Sequence, residues 1–291
     1  MMKIVVSERR DPAFHLALEE IFFFEADCKS LLFLYRNSPS VIIGKHQNPW
    51  IEANLAYAQA KAIPVLRRIS GGGCVVHDEG NINYSLILKD VPSKTVDFPL
   101  LYGSVLQGLR AMGLDIQTSD RNDFRIDGKK ISGSAQYMRR DTTLFHGTLL
   151  FDSDLDRIHR LLDRDSGVEF ESFASPSVPS PIVNLSEYLP ETTTKLFLER
   201  WIQGIMDSTP CKMWQPDGDL IEKAEALAEE KYRTWEWNRG MTPPFTVKWE
   251  NHEIKVKSGK ILQLSDCFDQ SGVGKSVPDD ILRWMKEQNI S

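Results

Sequence analysis

The sequence is short of the features that mark several large classes of protein. It has no long run of Lys or Arg, and 35 Lys plus Arg stand against 41 Asp plus Glu, a net charge of −6. A net-acidic chain without a basic run binds phosphate backbones poorly, so no nucleic-acid partner is expected. Cysteine is scarce: four in 291 residues, at 28, 74, 211 and 267. None lies at metal-ligand spacing from another, which excludes a zinc knuckle and a CxxC redox site; no protein metal site is expected. Thiols this sparse fit a reducing compartment. The longest apolar stretches, Ile21–Phe24, Leu31–Tyr35 and Val41–Ile43, fall far below the roughly 20 residues of a membrane helix. At the N-terminus Ile4–Val6 is followed at once by Ser7, Glu8 and Arg9, which is no secretory segment. These absences point to a cytoplasmic protein with no membrane partner.

What remains is ordinary globular composition, 41% hydrophobic and 26% charged. The length predicts two domains, or one large domain with an appendage. No internal repeat is visible. Asp11 caps a helix with Pro12 at its first position, and Phe14, Ala17, Leu18, Ile21 and Phe22 share one face of it. Strands are predicted over Lys3–Val6, Leu31–Tyr35, Ser40–Ile43, Val65–Arg67, Val75–His77, Asn83–Leu88 and Thr143–Phe151. A helix is predicted over Ile51–Ala62, and others over Phe98–Met112, Leu155–Leu162, Thr193–Ile205 and Leu220–Tyr232. Asp127-Gly128 and Ser258-Gly259 read as hairpin turns. Asp165–Val183, rich in proline and serine, reads as a loop and a candidate lid over the site. Pro278 opens a terminal helix. A boundary near Gly240–Pro244 separates a main domain, 1–240, from a small C-terminal module, 241–291.

Two segments carry chemistry. The first runs Arg67-Arg68-Ile69-Ser70-Gly71-Gly72-Gly73-Cys74-Val75-Val76-His77-Asp78-Glu79-Gly80-Asn81. Three glycines between strand-like segments let backbone N–H groups approach an anion with no Cβ in the way. Arg68 adds a planar fork of donors. The plainer reading is a surface turn followed by a His-Asp pair. The second is Lys129-Lys130-Ile131-Ser132-Gly133-Ser134-Ala135. Lys129 reads as a solvated lysine; pattern alone leaves Lys130 open between that and a pocket ammonium that offsets charge in a transition state.

Together these segments resemble the lipoate–protein ligase A and lipoyltransferase family, within the biotin/lipoate ligase superfamily. The match rests on Arg68-x-Ser-Gly-Gly-Gly, His77-Asp78-x-Gly80-Asn81 and Lys130-Ile-Ser-Gly-Ser-Ala. Support comes from Asp11-Pro-Ala-Phe-His-Leu-Ala-Leu-Glu-Glu, Gly44-Lys-His-Gln-Asn-Pro-Trp, Arg121-Asn-Asp, His146-Gly-Thr-Leu-Leu, Val183-Asn-Leu and Trp235-Glu-Trp-Asn-x-Gly. The resemblance implies an α+β fold: a mixed-sheet catalytic domain with a shortened C-terminal accessory domain. It implies ATP, Mg²⁺ and lipoate as ligands, and an acyl adenylate as intermediate. The acceptor would be a lysine on a lipoyl domain of a 2-oxoacid dehydrogenase E2 subunit or on the glycine-cleavage H protein.

By the same resemblance Lys130 is the catalytic residue, touching acyl carbonyl and phosphate. Arg68, Gly73, Cys74, Val75, Val76 and Asn81 would bind the nucleotide, Asn81 also the magnesium-linked phosphates. Ser70, Gly71, Gly72, His77, Ser132 and His146 would bind substrate, although the apolar strand around His146 also suits a structural histidine. The short C-terminal module leaves open a lipoyltransferase that accepts preformed lipoyl-AMP. A cysteine-dependent octanoyl or lipoyl acyltransferase is a further alternative, but no cysteine occurs between Val75 and Pro210, and Cys74 reads as a small apolar filler. A non-catalytic lipoyl-domain binder would have no use for Arg68, the glycine loop and Lys130 together.

Overall fold

The computed structural model describes residues 1–90, 98–120, 123–163 and 167–288. In chain order its elements begin with β1 (Met2–Val6), α1 (Pro12–Glu25), β2 (Ser30–Tyr35), β3 (Ser40–Ile43), α2 (Pro49–Glu52), α3 (Leu55–Ala60), β4 (Val65–Arg67), β5 (Val75–His77), β6 (Asn81–Leu88) and α4 (Phe98–Arg110). There follow β7 (Gln117–Thr118), β8 (Phe124–Ile126), β9 (Lys129–Lys130), β10 (Ser134–Arg139), β11 (Thr142–Leu150), α5 (Leu155–Leu162), β12 (Glu169–Ser172) and α6 (Thr194–Ser208). The last are β13 (Cys211–Met213), α7 (Gly218–Leu227), β14 (Phe245–Trp249), β15 (His252–Lys257), β16 (Lys260–Leu264) and α8 (Ile281–Gln288). Helices and mixed sheets together give the α+β class anticipated above. Arg121 and Asn122 of the Arg-Asn-Asp match, and Asp165 and Ser166 of the predicted loop, lie outside the described residues.

The chain divides into two units by internal contacts. The first comprises residues 1–39, 77–155 and 179–228; the second comprises 40–76, 156–178 and 229 onward. The first unit is built on a six-stranded sheet in the order β10-β11-β6-β2-β1-β13. The β1 pairings with β2 and β13 are parallel; those of β2 with β6, β6 with β11 and β11 with β10 are antiparallel. Alternation sorts the side chains of this sheet onto two faces. One face carries Leu32, Leu34, Ile82, Tyr84, Leu86, Phe145 and Leu149, and packs into a core with Val105 and Leu109 of α4 and Phe197, Trp201 and Ile205 of α6. The other face lies under α1 and is the one that matters for chemistry.

Asp11 caps α1 by accepting from the N–H groups of Ala13 and Phe14 at 3.0 and 3.3 Å, with Pro12 at the first position. The predicted helix therefore forms, but it is buried nearly all round: every residue from Pro12 to Glu19 is covered. The hairpin at Asp127-Gly128 also forms, joining β8 to β9 with φ of 48° and 74°, the left-handed pair of a type I′ turn.

The second unit holds a three-stranded sheet, β4-β3-β5, and a four-stranded one, β12-β14-β15-β16. Two local predictions need correction here. The single helix over Ile51–Ala62 is two short helices, because Ala53 is extended (φ −136°) and Asn54 starts a new cap on the N–H of Tyr57. Within the predicted loop, β12 is a strand: it pairs antiparallel with β14, and Phe170 packs on Phe245 at 6.2 Å between ring centroids.

Candidate active site

The α1-facing side of the first unit's sheet is buried and polar. β6 contributes Asn81, Asn83 and Ser85 to it, and β11 contributes His146 and Thr148, in register as His146↔Ser85 and Thr148↔Asn83. All five are at most 7% exposed. From α1 above come His15 and Glu19, one helical turn apart, at 0% and 1% exposure. A buried carboxylate must be met by donors, and Glu19 is: His146 Nδ1 lies 2.9 Å from Oε2, and the Ser85 hydroxyl donates to the same oxygen.

At the end of this face the chain makes a tight turn that Asp78 organises. One carboxylate oxygen accepts from the N–H groups of Gly80 (3.0 Å) and Asn81 (2.9 Å), the other from Asp154 N–H (2.8 Å). Gly80 has no room for a side chain, since a Cβ would sit 1.9 Å from the Asp152 carbonyl oxygen. The turn sets His77 and Asn81 at its two ends. His77 Nδ1 is 2.9 Å from the Asn37 amide nitrogen. Asn81 donates to Asn83 at 2.8 Å, while its own amide oxygen is buried with no hydrogen-bond partner among the described residues.

Lys130 is held at both backbone and side chain. Its N–H donates to the Pro181 carbonyl (2.8 Å) and its carbonyl accepts from Val183 N–H (3.1 Å). Its ammonium pairs with Asp123 at 3.1 Å, with side-chain exposures of 23% and 8%. Lys129 is exposed, as read. Ser132 is fully buried, 3.3 Å from the Tyr84 hydroxyl, and burial pushes the Tyr84 phenol up from its ordinary pKa. Gly133 ties the two parts of the site together. A Cβ on it would lie 3.5 Å from Lys130 Nζ and 3.6 Å from Thr148 Oγ1, and Gly133 N–H donates to that same hydroxyl at 3.1 Å. Thus Lys130 and Thr148 meet at Gly133, Thr148 lies in register with Asn83, which accepts from Asn81, and Ser132 is held by Tyr84 on the core side of the sheet, with His77 at the turn beside Asn81.

The remaining sequence candidates stand in the second unit. Arg67 closes β4 and is fully buried; its guanidinium donates to the carbonyls of Gly44, Lys45, Gln47, Trp237 and Asn238 and to the Thr242 hydroxyl. Burial, then the nearby Arg239, pushes its pKa down to about 10. Arg68 is 5% exposed and turned inward. It donates to the carbonyls of Ile42, Gly71 and Gly73 and to the Ser70 hydroxyl. Its fork thus shapes the glycine turn. Gly72 takes φ +88°, and the turn lies so close to Gly44 that a Cβ there would meet the Gly72 carbonyl at 2.2 Å.

One segment of the predicted lid lies directly on this turn. The Ser177 hydroxyl accepts from Cys74 N–H at 2.8 Å and from Gln47 Nε2 at 3.0 Å, and donates to the buried carboxylate of Glu52. Val75 and Val76 follow in β5. Sequence reasoning quoted Glu19, Gln47 and Asp123 within motifs but gave them no role, and it passed over Asn37, Glu52 and Ser177. For His15 and Glu19 a signal existed: polar residues four apart inside the apolar stripe of α1.

Comparison with known proteins shows which family the chain resembles. The model of the lipoyl protein ligase A/B catalytic domain matches residues 11–206. The chain is similar to lipoate-protein ligase LplJ of Bacillus subtilis, 35% identical over 281 residues, covering 91% of this chain and 83% of that protein. It is likewise 35% identical to lipoate–protein ligase 1 of Staphylococcus aureus over 277 residues, with the same coverage of 91% and 83%. Among solved structures, a lipoate protein ligase of Thermoplasma acidophilum with bound lipoic acid superposes with a TM-score of 0.69 at 26% identity, over 82% of this chain and 98% of that one. A lipoate-protein ligase A bound with ATP gives 0.68 at 26%, with the same coverage. A bipartite ligase of T. acidophilum, described with its E2 lipoyl domain, gives 0.69 at 27%, over 82% and 96%.

Proposed function

The chain belongs to the lipoyl protein ligase A/B family, and on that premise we propose that it activates lipoate with ATP and transfers the lipoyl group to a lysine of lipoyl domains. The relatives named as lipoate–protein ligases, and the solved ligases that hold lipoate and ATP, support both ligands. The bipartite ligase described with its E2 lipoyl domain supports the acceptor class; the glycine-cleavage H protein is a further acceptor in this reading. Four free cysteines fit a cytoplasmic setting.

The observation that carries the reading is Lys130, a backbone-anchored ammonium paired with Asp123 and set against Gly133 and Thr148 at the edge of a buried polar face. In the first half-reaction a lipoate carboxylate oxygen attacks the α-phosphorus of ATP, and the bond to pyrophosphate breaks. In the second, the acceptor amine attacks the acyl carbon, AMP leaves with the bonding pair, and the nitrogen loses a proton. Negative charge grows on phosphoryl oxygens in the first step and on the acyl oxygen in the second. A fixed ammonium within reach of both offsets that charge without reorganising. Ser132, His77 and His146 assist substrate binding. The glycine loop, with Arg68 and Ser70 shaping it, offers the N–H groups of Gly73 to Val76 to the adenylate, and residues 241–291 act as the accessory domain during transfer.

Mg²⁺ fits the donors present. Among the described residues there is no cluster of three acidic, histidine or cysteine side chains to cage a metal, whereas Mg²⁺ with ATP is held mainly by phosphates and water. The unpartnered amide oxygen of Asn81 is the hard donor that would complete its shell. The ion would supply neutralisation of the pyrophosphate leaving group. Ser177, bonded to Cys74 N–H, closes over the glycine loop in this reading, and it yields that N–H when nucleotide arrives.

The test is lipoate-dependent ATP–pyrophosphate exchange together with the mass gain on an apo lipoyl domain. Both are expected. Acyl transfer from supplied lipoyl-AMP without exchange would make the chain a lipoyltransferase, and neither signal would leave only a binding role.

A further inference from the structure

The second unit holds a thiol–imidazole pair that the reaction scheme above does not use. β15 and β16 pair with Ile254 opposite Leu264. One residue further, Ser265 is stapled to Glu253: its N–H donates to the Glu253 carbonyl at 3.0 Å, and its hydroxyl accepts from Glu253 N–H at 2.7 Å. The chain then turns. Phe268 N–H donates to the Ser265 carbonyl at 3.0 Å, and the Gln270 amide donates to the carbonyls of Ser265 and Phe268 at 3.1 and 3.0 Å. This turn sets Cys267 beside His252, the first residue of β15. Cys267 Sγ lies 3.0 Å from His252 Nδ1. The His252 ring is braced by Trp249 at 5.9 Å and by the buried Phe268 at 5.4 Å between centroids. Phe268 in turn stacks on Trp284 of α8 at 6.1 Å.

A thiolate, not a thiol, is the nucleophile. In the reactive form of this pair the sulfur is a thiolate that accepts from Nδ1–H. Moving one proton from sulfur to Nδ1 reaches that form. Loss of the thiol proton to water reaches it equally when Nδ1 already carries hydrogen, so either tautomer of the ring serves. The other three cysteines are half-buried. Burial pushes the thiols of Cys28 and Cys211 up from their ordinary pKa, and the Cys74 sulfur lies 4.0 Å from the Val75 carbonyl. Cys267 is the exposed one of the four. A metal is not the natural occupant, because among the described residues no third histidine, cysteine or carboxylate joins the pair.

We propose that Cys267 is a site of reversible thiol–disulfide exchange with low-molecular-weight disulfides, with His252 holding the attacking thiolate. Nothing in this chemistry depends on the ligase reading. The thiolate attacks one sulfur of the disulfide. A bond from Cys267 to that sulfur forms, the original sulfur–sulfur bond breaks, and the other half leaves as a thiolate that takes up the proton Cys267 lost. Cys267 is oxidised to a mixed disulfide, and the departing half is reduced. An excess of reduced thiol runs the same steps backwards. In a reducing compartment the mixed disulfide therefore accumulates only when the small-thiol pool is oxidised.

The test exposes the reduced full chain to glutathione disulfide at neutral pH, quenches in acid and maps the products by mass spectrometry. One glutathionyl group is expected on Cys267, formed about tenfold or more faster than on any other cysteine and released by dithiothreitol. A second comparison separates an activated thiol from one that is only exposed. Native Cys267 should react about tenfold faster than Cys267 of the same chain unfolded in urea, where no imidazole is held against it.

His252→Phe keeps a ring against Trp249 and Phe268 but removes the nitrogen, and His252→Leu removes it without a ring. Circular dichroism shows which variants are folded, and in those the rate at Cys267 should fall to that of the unfolded chain. Modification without preference for Cys267, a native rate no greater than the unfolded one, or a wild-type rate in a folded His252 variant overturns the proposal. If neither variant folds, the comparison of native with unfolded wild type still decides it. Absence of pyrophosphate exchange overturns the ligase reading alone and leaves the thiol result standing.

Discussion

Replacing Asp78 by asparagine tests whether one carboxylate builds the turn between His77 and Asn81. The substitution is isosteric, so packing is unchanged. The wild-type carboxylate is 3% exposed and accepts three backbone N–H groups, from Gly80 at 3.0 Å, Asn81 at 2.9 Å and Asp154 at 2.8 Å. An amide has one accepting oxygen. If that oxygen stays with Gly80 and Asn81, the NH₂ group faces the Asp154 N–H, donor against donor. Hydrogen bonds to a charged acceptor contribute about 1.5–3 kcal/mol each, against about 0.5–1.5 for neutral ones, and a stranded buried donor costs about 1–3. Two weakened bonds and one broken bond give a loss of about 3 kcal/mol. At about 2–4 °C per kcal/mol for a chain of this order of size, the melting temperature falls by about 6–12 °C. Calorimetry measures it. Exchange at 25 °C, where the variant is still folded, should fall about tenfold or more because both ends of the turn loosen. Asp152→Asn is the control, since its exposed bond to Ser186 contributes little. A melting temperature within about 1 °C of wild type would refute the account of the turn.

Other outcomes follow from the same geometry. Lys130→Ala should reduce pyrophosphate exchange by about 10²–10³-fold, about 3–4 kcal/mol, with lipoate binding changed far less, because the ammonium acts on charge that develops in the transition state; equal losses in binding and rate would contradict this. His15 makes stability depend on pH. Its native pKa, lowered from 6.5 to about 4 chiefly by burial, means the unfolded chain binds the proton first. Its contribution is therefore complete above pH 6.5 and declines as pH falls toward 4, by at most about 3 kcal/mol, and His15→Phe should flatten that limb of a denaturation-versus-pH curve. Gly147→Ala would place a Cβ 2.5 Å from the Tyr84 hydroxyl and 2.8 Å from the Gly133 carbonyl, and should cost about 1–3 kcal/mol in a denaturant melt. Ser177→Ala removes the hydroxyl that occupies Cys74 N–H; KM for ATP should fall about fivefold, as for one hydrogen bond of about 1 kcal/mol, and a rise would argue that Ser177 aids binding.

Turn chemistry was the most legible part of the fold. Asp127-Gly128 and Ser258-Gly259 adopt the paired positive φ values that their sequences announce, 48° with 74° and 52° with 67°. The α1 start was equally plain, because Asp11 and Pro12 act within one turn. Less was readable where long-range packing decides. Ala53 breaks the predicted helix because Asn54 is tied to Leu161 by a backbone bond across 107 residues of chain, from Asn54 N–H to the Leu161 carbonyl. β12 lies in a stretch whose serines and prolines read as loop, and it exists through its pairing with β14. The polar face was hidden for a subtler reason. In Asn81-Ile82-Asn83-Tyr84-Ser85 polar and apolar residues alternate, which ordinarily means one face in water. Here both faces are covered, and only the burial of α1 from Pro12 to Glu19 reveals it. The glycine loop was legible from local chemistry, whereas pattern left Lys130 open and the family resemblance singled it out; of their supports, Asp123 stood in the Arg121-Asn-Asp match without a role, and Glu52 and Ser177 come from other parts of the chain with no motif of their own.

Arg67 shows why such supports carry function as well as stability. A hydrophobic residue of similar size would satisfy a core position without the desolvation cost of a guanidinium. This one is fully buried, and every partner named for it is a carbonyl or a hydroxyl, so its charge is hydrogen-bonded but not neutralised by those groups. The lowered pKa, about 10, leaves it protonated at neutral pH; burial is the main cause, and the nearby Arg239 lowers it further. The glycine loop begins one step further along the chain, past Arg68, whose fork holds the loop's own carbonyls. An anion at the loop's N–H groups therefore meets a field already set by buried cations. Arg67→Met would keep much of the side chain's bulk and remove that field, so it should weaken nucleotide binding more steeply at low salt than at high salt; salt-independent weakening would assign Arg67 to scaffolding alone.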